Sequence, residues 1–515
     1  MADEGAALDA LYKAATNLVD CKAKLAKEAV DTFPEHAADF QALLDNAKVG
    51  PKCKTLALQE LPKYLVKFPD HMDATLDILI DLFEESDANH LKAIEGWRII
   101  ALNASSAVIT KLVGVLSQLL QSEVEAEVKA VNSALLAALT KDVTATMAAV
   151  FAQMKEEPGR AKAVAFVEGT VLPRVETLLD GKLEAQEAIS ESIKGLMPTA
   201  SAKEFSVFKT LLFGMSKYKD GEAGATGLLE VVQSAIGIDA PFDPTPESAA
   251  RLCLCTASAA LIVSKGADPR KITSFLAKKV LPCFADIAAP QQLQLLKHLA
   301  DMSPFMKGNV AREILPAIYP LLLSMMHLEV TEENKINYPP IECLLFAFNQ
   351  TASRVPGFLH GLCGIKINTG QPECKLDEDH SAKLKDLHDR CKVLADSADA
   401  FIIKLKQVKS KLQQTKPEDE AGRTELRTKQ TACFTSSCTC ENVAKLAKAL
   451  LITPTPTFLS DGTAPVLSWK RVAQMGANKA GQKRGAEDGG RGGGQQQGKR
   501  QAGPGGKAQV SGVAG

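Results

Sequence analysis

The chain has 515 residues, 46% hydrophobic and 23% charged, so it exceeds one ordinary core and most of it can fold. Aromatics are only 5%, which argues against an all-β protein, and the surplus of Ala, Leu, Lys and Glu favours helix. The formal net charge of −1 hides an asymmetry: from Lys470 onward nine basic and two acidic residues give +7, leaving −8 on the remainder. A basic tail on an acidic body points to nucleic acid, a receptor or a nuclear address.

Met1-Ala2-Asp3-Glu4 lacks the basic start and apolar core of a secretory signal, so export is not expected. Leu315 to Met326 is the longest apolar candidate, and it is too short and too proline-rich to cross a membrane. The 12 cysteines are therefore expected as reduced thiols in the cytosol or nucleus.

From about residue 7 to 330, apolar residues recur at helical spacing and are broken by short polar or Gly/Pro stretches. Cys53 to Phe68, Ala74 to Phe83, Leu91 to Leu102, Ile109 to Leu120 and Val128 to Leu139 are predicted helices. Ala57-Leu58 and Ala93-Ile94 open comparable helices 36 positions apart, and Ile78, Leu79, Leu82 and Phe83 align with Val115, Leu116, Leu119 and Leu120 at an offset of 37. That period is the mark of an all-α, α-solenoid fold of the HEAT or armadillo kind, in which no hairpin buries its apolar face alone. Ser201-Ala202-Lys203-Glu204 fits a capping box, and Thr245-Pro246 places proline in a first helical turn.

Beyond about residue 206 the period blurs, although helices are expected to continue to Met326. Gly364 to Asp379 reads as a loop. A long helix follows, at about 380–413, with Leu384, Leu387, Cys391, Leu394, Ala398, Phe401, Leu405, Val408 and Leu412 on a zipper-like seam. Cys391 and Ala398 weaken that seam, so packing against preceding helices is preferred over pairing with a second chain. The last 40 residues hold 14 glycines and are expected to be disordered. Within them Lys483-Arg484 and Lys499-Arg500 form two basic pairs that an importin-type receptor could read. RNA contact through Arg491 among glycines, or a purely solubilising tail, remain the alternatives.

Motifs for catalysis are missing. The Gly-rich run 489–494 lies between no strand and helix, and no Gly-x-Ser-x-Gly elbow occurs. Cys253 and Cys255, or the trio Cys433, Cys438 and Cys440, lack the paired spacing of zinc sites, so no metal and no cofactor is expected. His298, between leucines, reads as a satisfied half-buried residue rather than a base. The chain is therefore expected not to be an enzyme.

Several strings point to one family. Glu342-Cys343-Leu344-Leu345-Phe346-Ala347-Phe348-Asn349-Gln350, Leu295 to Ser303, Val131 to Leu136, and Leu467-Ser468-Trp469-Lys470 followed by Gly481 to Arg484 resemble, in order, the apoptosis inhibitor 5 family, or antiapoptosis clone proteins. The resemblance implies a HEAT-like half over 1–205, an armadillo-like half over 206–456, and a linker and tail over 457–515. It implies a nuclear, non-enzymatic scaffold with a cytoplasmic pool, which suppresses apoptosis by binding and masking partner proteins. Implied partners are an acinus-like chromatin factor and a growth factor. Implied sites are the zipper-like seam, a nuclear signal at Lys483-Arg484, and an acetyl-lysine at Lys265. Residues 1 to about 32 are longer than the family leads one to expect.

Overall fold

In the computed structural model, described over residues 4–85, 87–155, 157–219, 221–331, 334–367, 379–417, 419–453, 455–459 and 463–475, all regular structure is helical. The chain divides into two compact units, Met1–Met325 with Cys343–Lys385, and Met326–Glu342 with Asp386–Gly515.

The first unit opens with α1 (Glu4–Glu28), α2 (Ala37–Asn46), α3 (Pro51–Tyr64), α4 (Met72–Glu85), α5 (Asp87–Asn103), α6 (Ser106–Gln118), α7 (Glu125–Lys141) and α8 (Val143–Gln153). The odd helices α1, α3, α5 and α7 pack in succession, each on the next but one, and α6 packs on α8 in the second layer. This is the stacking that the offset of about 37 predicts. Ala57, Leu58, Ala93, Ile94 and Val131 are all buried at equivalent positions. Polar side chains link the same intervals: Lys67 bonds Asp31 at 2.9 Å, His90 bonds Glu127 at 2.5 Å, and Lys111 and Ser106 reach Asp73 and Asp142. The exposed ones among these, Lys67–Asp31 and Lys111–Asp73, contribute little energy, about 0–1 kcal/mol each; they report register. Gly96 is where α5 crosses Pro62 of α3, and a Cβ there would lie 2.8 Å from the proline ring.

The long N-terminal segment is α1 itself. Ala7, Leu11, Ala14, Leu18 and Cys21, spaced four and three apart, are buried against α2 and α3.

The unit continues with α9 (Gly159–Phe166), α10 (Val175–Leu179), α11 (Leu183–Leu196), α12 (Ala202–Gly214), α13 (Gly221–Ile236), α14 (Pro246–Val263), α15 (Arg270–Phe275), α16 (Ala289–Met302) and α17 (Gly308–Met325). The regularity that blurs in sequence reappears as repeated devices. After α9 a π turn, Val167–Val171, leads into Leu172-Pro173; after α15 another, Leu276–Val280, leads into Leu281-Pro282. Proline removes a donor and crowds the carbonyl four residues back, and a widened turn accommodates it. α11 and α16 each end in a proline-containing turn, Met197–Thr199 and Ser303–Phe305. Carbonyls in each turn and just after it accept from distant guanidinium groups, Pro198 and Ala200 from Arg251, Pro304 and Met306 from Arg354. Each Arg fork thus satisfies helix-end acceptors that would otherwise be orphaned.

The capping box of α12 forms as expected, Ser201 and Glu204 exchanging both bonds. Burial pushes the Glu204 carboxyl up, but the Arg160 guanidinium and the Ser201 N–H outweigh it and hold it below the usual range. Thr245 caps α14. One expectation is corrected: α14 is 18 residues long with a mean hydropathy of 1.2, so it, not Leu315 to Met326, is the most membrane-like stretch among the described residues. Most of its apolar surface is spent inside the unit, where Leu252, Cys255, Ala259, Ile262 and Val263 are buried.

The remaining helices are α18 (Tyr338–Ala352), α19 (Leu359–Cys363), α20 (Ser381–Gln414) and α21 (Glu420–Leu450). Gly364, at φ +80°, ends α19 where any Cβ would meet the His380 carbonyl at 2.5 Å. In the second unit α20 and α21 run antiparallel: Lys448 meets Asp399 at 2.6 Å, Cys433 Sγ approaches the Leu405 carbonyl, and Gln430 donates to the Leu412 carbonyl.

The second unit is tied by a buried carboxylate. Glu342 is fully buried and accepts from Asn442 Nδ2 at 2.6 Å, Ser468 N at 2.8 Å and Ser468 Oγ at 2.6 Å. Asn442 also donates to the Val466 carbonyl, so segment 466–468 is held on both sides. Glu342→Ala would orphan three donors and is expected to destabilise this unit by roughly 3–5 kcal/mol. Glu342→Gln keeps one acceptor in place, and the Ser468 hydroxyl can turn to accept from the new amide, so it is expected to stay near wild type. Amide hydrogen exchange over α21 and 465–475 checks both.

Candidate functional site

No catalytic constellation assembles among the described residues, and no group of three His, Cys, Asp or Glu is placed to hold a metal ion there. Burial pushes the thiols of Cys253 to about 11 and of Cys255, Cys363 and Cys440 to about 12. They are neutral packing groups rather than nucleophiles or ready metal ligands. Cys433 and Cys438 are buried with Cys440 along α21.

The surface feature that stands out in the first unit is one face of α14. Its other faces are buried, but Ala250, Leu254, Ala257 and Leu261 are exposed, spaced four, three and four apart. Leu254 is 38% and Leu261 54% exposed. This is the stripe spacing that receives another helix. Beside it runs a groove of about 320 Å³, between α14 and α16, lined by Ala250, Cys253, Leu254, Ala257, Gln291, Gln294 and His298. Gln291 Oε1, at the groove wall, is shielded from solvent and accepts no hydrogen bond. Sequence reading missed this stripe because from Leu252 to Val263 only Thr256 and Ser258 interrupt the apolar residues, and nothing in them tells which side stays uncovered.

Lys265 lies just beyond the same stripe and is exposed. Its ammonium sits 5.1 Å from the centre of the Phe213 ring. Among the described residues its partner is that ring and not a carboxylate, so acetylation would remove a cation–π contact rather than a salt bridge.

His298 Nδ1 is 2.8 Å from Thr256 Oγ1, which itself lies 2.8 Å from the Leu252 carbonyl. The expected satisfied histidine is found. Burial, above all, lowers its pKa to about 4, so the ring is neutral near pH 7.

The zipper-like residues divide in two. Leu387, Cys391, Leu394, Ala398 and Leu405 are buried, and Leu384 and Leu412 half-buried. Phe401 and Val408 are 38% and 45% exposed, with Ile403 beside them at 59%. Phe401 nonetheless stacks on Tyr338 at 5.7 Å. Most of the seam is thus spent within the chain, and only its exposed remnant faces solvent. Lys483, Arg484, Lys499 and Arg500 lie outside the described residues.

The model of the family described as apoptosis inhibitory protein 5 (API5) matches residues 8–513 of this chain. An apoptosis inhibitor 5-like protein of Oryza sativa subsp. japonica is 27% identical over 476 residues, covering 90% of this chain and 86% of that one. Apoptosis inhibitor 5-B of Xenopus laevis is 28% identical over 475 residues, covering 88% and 84%. Apoptosis inhibitor 5 of Homo sapiens is 28% identical over 477 residues, again covering 88% and 84%.

The depressed pKa of His298 makes stability pH-dependent. The unfolded ring takes a proton near pH 6.5, whereas the folded ring resists it down to about 4. Stability is therefore complete above about pH 6.5 and is lost as pH falls through that window, by about 2 kcal/mol at pH 5. His298→Gln should flatten the slope of the unfolding midpoint between pH 6.5 and 5; an unchanged slope would assign it to carboxylates instead.

Proposed function

The chain belongs to the apoptosis inhibitory protein 5 family, and from that premise we propose that it is a non-enzymatic scaffold that restrains apoptosis by holding a partner protein. The observation that carries the reading is the uncovered α14 stripe beside a groove with an unpaired acceptor. The occupant it suits is an amphipathic helix. Its apolar stripe meets Leu254 and Leu261, a side-chain donor meets Gln291 Oε1, and an acidic residue at the far end meets Lys265. A helix docked there would cover whatever cleavage or activation site its own sequence carries, and masking of that kind needs no chemistry from the scaffold. Acetylation of Lys265 would weaken the acidic end of the contact. An acinus-like chromatin factor or a growth factor remains a candidate source of such a segment.

Nuclear residence through Lys483, Arg484, Lys499 and Arg500 belongs to the same proposal. The net charge of +7 from Lys470 onward supports it, and it equally supports the second reading, an RNA-associated nuclear factor that uses its Gly/Arg-containing tail.

The test is cell survival under an apoptotic stimulus. Leu254→Asp with Leu261→Asp alters two exposed side chains, so the thermal unfolding midpoint should stay put. Each Leu buried by a partner contributes about 1.5–3 kcal/mol, so the pair should weaken docking at least tenfold and abolish protection. Full protection by the folded double variant would sink the stripe. Alanine at the four tail positions should shift a fluorescently tagged chain from nucleus to cytoplasm.

A further inference from the structure

A second surface, in the second unit, has a different chemistry. Between Lys406 and Ala432 no described residue is buried, so the end of α20 and the start of α21 form a solvated two-helix hairpin. Residues 404–429 carry eight Lys and Arg against four Asp and Glu, and 404–416 carry five lysines and no acid. The acids are mostly used locally. Asp419 caps α21 through the Gly422 N–H, Glu420 lies 3.6 Å from Arg423, and Glu425 bonds Lys429 at 2.7 Å. Lys404, Lys406, Lys409, Lys411, Lys416 and Arg427 make no ion pair among the described residues, and all six are exposed.

Their placement is not that of an ordinary solvated face, where both signs alternate and support each other at i, i+4. Lys406 and Lys409 are three apart and repel, at some cost to the helix. At 3.6 residues per turn, Lys404 and Lys411 fall on one edge of the α20 seam, and Lys406 and Lys409 on the opposite side. Two cationic rails thus flank the contact with α21. A single acidic helix offers one stripe, whereas nucleic acid offers repeated charge along its backbone. The hydroxyls nearby are already committed: Thr424, Thr428, Thr431 and Thr435 each donate to the carbonyl four residues back, at 2.8–3.0 Å. Recognition would rest on the cations, with no readout of base edges.

We propose that the α20–α21 hairpin binds the phosphate backbone of nucleic acid, independently of sequence. This element is distinct from the Gly-rich tail and from the α14 stripe. Binding here releases counterions, so it falls steeply with salt, each engaged cation adding roughly −0.7 to −0.9 to the slope of log K against log salt.

The experiment uses the full chain and measures fluorescence anisotropy with mixed-sequence duplex DNA and single-stranded RNA of about 20 nucleotides, between about 50 and 200 mM salt. Lys404→Gln, Lys406→Gln, Lys409→Gln and Lys411→Gln are combined in one variant, and the four tail positions Lys483, Arg484, Lys499 and Arg500 are changed to Gln in another. The hairpin variant should bind at least tenfold more weakly at the lower salt, with a slope shallower by about 3. The tail variant should keep that hairpin-dependent part. Lys→Arg at the same four hairpin positions should restore binding, which separates charge from a folding defect. An unchanged slope in the hairpin variant overturns the proposal and assigns binding to the tail. Binding of poly-glutamate is the remaining control. If the wild-type chain holds it as tightly as RNA, the cations serve an acidic protein segment and the nucleic-acid assignment falls.

Discussion

The structure of the first unit depends on one constraint: an amphipathic helix hairpin of about 37 residues cannot cover its own apolar stripe. Burial of apolar area, at about 25 cal/mol per Å², is available only when the next hairpin arrives. Hence α1, α3, α5 and α7 pack in succession, with Leu11, Leu61, Trp97 and Leu135 all shielded in the resulting layer. Each interface resembles its neighbours, so polar links recur at similar separations without being the source of stability. An aromatic cluster of Phe33, Phe40, Phe68 and His71 joins α2 to the α3–α4 connection, with Phe40 and Phe68 stacked at 4.5 Å.

Later in the unit the same constraint is met with irregular parts. π turns that lead into Leu-Pro steps, and guanidinium clasps on the turns that end α11 and α16, replace plain helix-to-helix turns, because those ends leave carbonyls that need donors. Arg251 and Arg354 supply them from α14 and from just beyond α18. In the second unit the corresponding anchor is polar: among the described residues Glu342 has no cation at salt-bridge distance and is held by an amide, a backbone N–H and a hydroxyl. Such a group is costly unless every partner is present, which makes segment 466–468 obligatory for that unit.

A repeat array presents surface rather than a pocket. The cysteine-rich helices illustrate the consequence, since their thiols are raised by burial and serve as small apolar groups. What remains outside is chemically divided. The α14 stripe is apolar with one cation at its end, and the α20–α21 hairpin is cationic with little apolar area. The two surfaces therefore differ in chemistry, one offering apolar area and the other positive charge.

Local rules settled much of this protein in advance. Helical periodicity, the offset of about 37, the Ser201–Glu204 box, the Thr245 cap and the 34-residue α20 are all short-range consequences of side-chain size and polarity, and they are legible in the residues. The apolar spacing of α1, Ala7, Leu11, Ala14, Leu18 and Cys21, is a local pattern of the same kind, although sequence reading picks out only the length of that segment. Tertiary structure alone decided which apolar faces stay uncovered. Periodicity identifies a stripe but not its neighbour, so α14 looks equally buried on every side, and the α20 seam looks uniform although Leu405 is covered and Val408 is not. The Glu342 network was equally hidden, because its donors arrive from 100 and 126 residues away. Only the folded chain brings such distant groups to one place.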